Sequence, residues 1–206
     1  MIKKEKRKIQ RAQPLHNMVI RVPAKPGDLD SLLKFFTALP SSLQNTMRYR
    51  VTDRELLRHR LEQIDGTNHW RLIAEAGGKI IGDATMDREP FNWTRHVAEV
   101  RAVVDPQYSL LDIEAALFKE LAVLGEKAGI ERLFTEVMKG QNKLIAALEQ
   151  TGFVYEATRR KYAKDLHGKL HDVILMSNDI DKVWRSLARQ MEELDTQPSR
   201  TMEGQY

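Results

Sequence analysis

Three groups of side chains in this sequence sit at spacings that could carry chemistry. His167 and His171 bracket Gly168, close enough to offer two imidazoles to one ion. No third ligand lies near them in sequence, so a solvent-facing turn is expected there and no metal. Glu99 falls in a β-rich run, residues 96–104, with Arg95 and Arg101 at hand as ion-pair partners. Asp112 and Glu114 stand at the head of an amphipathic stretch, where acids stabilise a helix's first turn by a few tenths to about 1 kcal/mol. The sequence has no cysteine, which excludes disulfides, thiolate catalysis and Cys-ligated zinc. It shows neither a Ser-His-Asp constellation nor a Walker-type loop. Trp70, Phe91 and Trp93 could line a cleft or pack in the core and at its rim.

The elements that would position these groups mix strand and helix. Residues 18–22 read as a short strand closed by Pro23 and Pro26-Gly27. Asp28 caps a helix with the stripe Leu29, Leu32, Leu33, Phe35 and Phe36, which Pro40 ends. Residues 41–44 open a more polar helical region, and Thr52-x-x-Glu55 predicts a capping box for a helix with Leu56, Leu57 and Leu61 on its apolar side. Gly77-Gly78 predicts a hairpin between residues 70–75 and 79–85, and the strand over 96–104 stops at Asp105-Pro106. A long helix over about 111–127 carries Ile113, Leu117, Leu121 and Leu124 on one face, and Gly129 closes it. Residues 130–137 form the next strand and 142–150 a helix ended by Gly152. The segments 153–164 and 170–176 make a last hairpin. The fold class is α/β with a mixed sheet, and the strand–helix–strand unit over 96–137 must be a right-handed crossover joining a parallel pair.

Charge divides the chain unevenly. Lys3, Lys4, Lys6, Arg7, Lys8 and Arg11 against Glu5 put +5 on the first dozen residues, while the whole sequence carries +4. The predicted organisation is a basic disordered arm over 1–14, one domain over 15–177, an amphipathic helix over 178–195 and a polar tail over 196–206. A basic arm alone predicts no nucleic-acid partner beyond nonspecific polyanion contacts. The start lacks the apolar region of a secretory signal, and no apolar run nears the roughly 20 residues of a membrane span. No membrane partner is expected, and the cytoplasm is the expected compartment. The stripe Ile180, Val183, Trp184, Leu187, Met191 and Leu194 would be an interaction-prone patch if left in water. Either it covers its own domain or it joins two copies, and of the two a homodimer through residues 180–194 is the expectation.

Several strings resemble the GNAT superfamily of N-acetyltransferases. They are Ala98-Glu99 through Val104-Asp-Pro-Gln-Tyr108; Asn142 with Leu144 to Ala147 and Thr151-Gly152-Phe153; and Arg160-Lys-Tyr162 followed by Asp172 to Met176. Their order and separation look most like the GNAT domains attached to bacterial protein-lysine acetyltransferases. The resemblance implies a sheet splayed near residues 100–104 and 133–137 to admit the arm of coenzyme A. It implies acetyl-CoA or another acyl-CoA as co-substrate, and an amine of a small molecule or protein as acceptor. It places cofactor contacts at Val103, Val104, Ser109, Leu110, Leu111, Asp112, Ile113, Glu114 and Asn142. Glu99 takes the position of the base that deprotonates the amine. The family's tyrosine acid is matched by Leu148, which leaves Tyr155 and Tyr162 as alternatives.

The family's phosphate loop is Arg/Gln-x-x-Gly-x-Gly/Ala, in which glycines bring backbone N–H groups and a helix dipole against the diphosphate. Here those positions read Ser109, Leu110, Asp112 and Glu114. Like charges about 4 Å apart at an effective dielectric near 20 repel by roughly 4 kcal/mol before salt screening. Lys139 and Lys143 could offset this. Two functions stay open at this point: an N-acyltransferase, and a catalytically silent GNAT-like binding or assembly module.

Overall fold

The computed structural model describes residues 18–21, 26–108 and 112–181. Among them seven strands form one sheet, ordered β1-β2-β3-β4-β5-β7-β6. These are β1 Met18–Arg21, β2 His69–Ala76, β3 Lys79–Arg88, β4 Val97–Val104, β5 Arg132–Met138, β6 Val154–Lys164 and β7 Leu170–Asp179. The helices are α1 Leu29–Ala38, α2 Ser41–Gln44, α3 Arg54–Glu62, α4 Ile113–Lys127 and α5 Asn142–Gln150.

Alternation along the strands divides the core in two. Leu72, Ala74, Val100 and Val104 point to the α4 side and meet Ile113, Leu117, Phe118 and Leu121. Ile73 and Val103 point the other way, onto Leu32, Phe35 and Phe36 of α1 and Leu57 and Leu61 of α3. Phe118 against Phe153, ring centroids 5.8 Å apart, closes the α4 side. The hairpin turn takes both Gly77 and Gly78 at positive φ, 56° and 72°, the pair of conformations that lets a two-residue turn follow strand twist.

Two helix ends are satisfied by nearby side chains, whereas Asp28, at the start of α1, makes no side-chain cap bond because its carboxylate is taken by Arg21. Asp53 is the cap of α3, its carboxylate accepting from Glu55 N and Leu56 N at 3.1 Å each. That moves the cap one residue past Thr52, because one Asp53 carboxylate oxygen accepts from two amides at once. The Gln44 side chain donates to the carbonyls of Phe36 and Leu39 at the end of α1, 3.1 and 2.8 Å away, supplying donors that a helix C-terminus lacks. The α4 helix begins at Ile113 rather than Leu111, behind Asp112 at φ 50°. The β5 strand is displaced to Arg132–Met138, since Gly129 and Ile130 complete the turn out of α4.

The last strand runs on to Asp179, past the predicted end at Met176. Ile180, first residue of the stripe assigned to a dimer contact, is 2% exposed and packs in this chain's own core. A Cβ on Gly125 would come within 3.1 Å of its Cδ1, so α4 closes on it. The rest of the stripe, the basic arm and the polar tail lie outside the described residues.

Beneath α1 the sheet carries one buried ion pair. Arg71 Nε donates to Asp83 Oδ1 at 2.6 Å, with both side chains almost wholly enclosed, and the guanidinium lies over the Phe36 ring. Removing one partner strands a buried charge, whereas an apolar pair of similar volume does not. Asp83→Ala should therefore cost about 3–5 kcal/mol in urea unfolding. The double replacement Arg71→Met with Asp83→Leu should recover most of that loss.

Candidate active site

The β4 and β5 strands pair in parallel over three positions, Val97↔Arg132 to Glu99↔Phe134. Beyond them β4 stays on β3 as far as Val104, and β5 stays on β7 as far as Met138. The strands part, and a cavity of about 680 Å³ opens between them. Its walls are Ala102, Val103 and Val104 on one side and Thr135, Glu136 and Met138 on the other. The start of α5 supplies Asn142 and Lys143, the first turn of α4 supplies Glu114, and Leu43 to Arg48 add a covering segment. Gln141 Nε2 donates to Thr46 Oγ1 at 3.1 Å and ties that segment to the start of α5.

Glu99 sits where the strands divide. Its carboxylate accepts from Arg48 on one oxygen and from Arg101 on the other. Glu136, on the opposite wall, accepts from Arg48 at 2.8 Å and from Arg159 at 2.5 Å. Arg101 continues to Asp87 at 2.7 Å, and Asp87 to His69 Nδ1 at 2.9 Å. Acid and base thus alternate along one face of the sheet, on residues of five strands, with Arg48 of the covering segment between Glu99 and Glu136.

The structure brings some of the anticipated site residues together. Glu99, Val103, Val104, Glu114, Asn142 and Tyr162 all line the cavity. Tyr155 does not: it is 61% exposed, and its hydroxyl pairs with Thr158 Oγ1. Tyr162 reaches the rim because β6 bulges between Arg159 and Ala163, with Lys161 at φ 51°. Ile113 is fully buried in the α4 core. Asp112 is exposed in the left-handed region ahead of α4, and Ser109, Leu110 and Leu111 lie outside the described residues. Of the two lysines offered as compensation, Lys143 lines the cavity, while Lys139 faces Asp172 at 3.7 Å. Trp70 is a core residue under Arg88, and Phe91 and Trp93 are exposed away from the cavity. His171 pairs with Asp165, and no metal-binding cluster occurs among the described residues. Glu99 takes Arg101 as anticipated, and Arg48 in place of Arg95.

Sequence reasoning missed Arg48 and Glu136. Glu136 carried a readable signal, an acid between Phe134-Thr135 and Val137-Met138 in a strand that should be buried on both faces. Arg48, amid Met47-Arg48-Tyr49-Arg50, carried none.

No protein-family model and no curated protein sequence matches the chain. Solved structures do. A ribosomal-protein-S5-alanine acetyltransferase from Vibrio fischeri is similar at TM-score 0.71 and 20% identity, over 84% of this chain and 98% of its own. The GNAT domain of S. lividans PAT gives 0.64 and 22%, over 78% and 89%. A ribosomal L7/L12 α-N-protein acetyltransferase, solved in complex with coenzyme A, gives 0.68 and 16%, over 82% and 97%.

The fold is that of the GNAT acetyltransferases. The likeness spans most of the described residues. No described helix is long and apolar enough to cross a membrane.

The end of this GNAT-type cavity nearest α4 is acidic. Burial raises the Glu114 carboxyl above its ordinary value; Lys143 lowers it and Asp112 raises it further. A group whose folded pKa is raised binds protons more readily in the folded chain, so stability falls as pH rises through the window just above the ordinary carboxylate value. Glu114→Gln should lack that component. Urea unfolding from pH 4 to 7 should show wild type losing stability relative to the variant across that window.

Proposed function

We propose that this chain transfers an acyl group from an acyl-CoA to an amine. The observation that carries the reading is the parallel ladder that ends at Glu99 and opens into a cavity with that carboxylate at its apex. Beyond Glu99 the edges of β4 and β5 that face each other have no ladder partner in the described sheet. They suit an extended, amide-bearing arm, and Val103, Val104 and Met138 suit its apolar stretches. The α4 end does not fit a diphosphate equally well, because Glu114 and Asp112 stand where anions would bind and Lys143 is the cation among them. Weak donor binding follows, and no step is assigned to that end.

In this reading Glu99 takes the proton that the acceptor amine sheds. The nitrogen then bonds the thioester carbonyl carbon as the carbon–sulfur bond breaks, and in this reading Tyr162, at the cavity rim, returns a proton to sulfur. Tyr155, outside the cavity, has no part. The cytoplasm is the compartment that suits such a reaction.

A silent binding module is the second reading, favoured by the acids at the start of α4 and by the two guanidiniums already held on Glu99. Calorimetric titration of coenzyme A separates the two. Replacing Asp112 and Glu114 by glycine should tighten binding about tenfold or more. At Asp112 glycine also suits the positive φ, so the helix start should not weaken there. Tight wild-type binding that the change leaves alone would overturn this account of the α4 end. Glu99→Gln should lower turnover by about a hundredfold with coenzyme A affinity little changed. Equal turnover from neutral to alkaline pH would remove Glu99 from the mechanism.

A further inference from the structure

The covering segment places a cation where an acceptor's cation would go. Glu99 and Glu136 face each other across the divided strands, their side chains 14% and 13% exposed. One guanidinium, that of Arg48, spans them with a nitrogen on each, and its side chain is 48% exposed. The other two arginines of the cluster, Arg101 and Arg159, have their backbones in the sheet. Arg48 comes instead from the segment after α2 that covers the cavity.

We propose that Arg48 is a displaceable stand-in for the substrate, and that the acceptor is a primary alkylammonium of the kind found in a lysine side chain or a free diamine. The reason is electrostatic. Solvent-facing ion pairs are worth little each, so exchanging one cation for another costs little. Withdrawing Arg48 with nothing in its place would leave two mostly enclosed carboxylates opposed across the cavity, each short of one partner. A neutral acceptor cannot fill that gap, and an ammonium can.

The same exchange gives turnover a direction. The bound ammonium yields one proton to Glu99 and becomes the nucleophile. Its nitrogen bonds the acyl carbon, the carbon–sulfur bond breaks, the second proton passes through Tyr162 to sulfur, and Glu99 releases its proton to solvent. The amide formed is uncharged and no longer answers Glu99 and Glu136, so Arg48 returns and the product leaves. Arg48 is thus a specificity residue that acts by competition.

This deepens the acyl-transfer reading and rests on it for the chemistry, but the binding can be measured with no acyl donor present. Calorimetry on the full chain would compare cadaverine, a short lysine-bearing peptide and pentanediol as the neutral control. Wild type should bind the ammonium probes and not the diol. Arg48→Ala and Arg48→Gln should each tighten ammonium binding about fivefold, as loss of two competing solvent-facing pairs warrants. Glu136→Gln should weaken it by tenfold or more. Preference for the peptide over cadaverine would identify a polypeptide lysine as the source, and the reverse a free diamine; both support the exchange. Diol binding equal to diamine binding, or weaker ammonium binding in both Arg48 variants with their melting temperatures unchanged, would overturn it. Ammonium binding without any transfer when acyl-CoA is added would leave the exchange standing and remove the enzymatic reading.

Discussion

Between Glu99 and Phe134 the parallel ladder stops, and from there each strand is hydrogen-bonded to only one neighbour. The sheet is therefore two antiparallel halves, β1 to β4 and β5 with β7 and β6, joined by three residue pairs and by the covalent passage through α4. Each half keeps its own twist. Antiparallel pairing along the full length of β4 and β5 stiffens both walls, so the space between them does not depend on loops to keep its shape. The position of Glu99 at the point of division follows from register alone. One more parallel pair would shift the apex of the cavity along both strands.

That division also explains why so many charges are tolerated on one face. Paired strands would press Glu99 and Glu136 into a close-packed surface, where unmatched carboxylates are costly. Beside an open cavity they keep partial solvent contact, and each finds two guanidiniums. The alternation from His69 through Asp87, Arg101, Glu99, Arg48 and Glu136 to Arg159 distributes that pairing so that no acid depends on a single partner. The Arg71–Asp83 pair, enclosed beneath α1, has no such redundancy, and so it serves structure where the cavity pairs can exchange.

The α4 end behaves differently. A helix N-terminus attracts anions, and in this chain two acids already stand there, Asp112 on a left-handed backbone with no side-chain cap bond and Glu114 in a half-buried site. Helix stabilisation and donor binding compete there for the same positive potential. The raised Glu114 carboxyl shows the local balance, since burial outweighs the pull of Lys143.

The bounds of α5, the Gly77-Gly78 hairpin, the crossover through α4 and the acids at its start were legible in the sequence, because each rests on neighbours within a few residues. Periodicity, turn residues and capping act locally, and only small displacements separate the predicted ends of α3, α4 and β5 from the observed ones. The choice between Tyr155 and Tyr162 was not legible, because it depends on the bulges of β6, set by its register on β7. Nor could the sequence assign Ile180 to its own core, which required the groove that Gly125 leaves in α4. The meeting of Arg48 with Glu99 and Glu136 joins residues 51 and 88 positions apart. Only the tertiary structure decided it, because an ion pair between distant segments leaves no period, cap or turn in the chain that forms it.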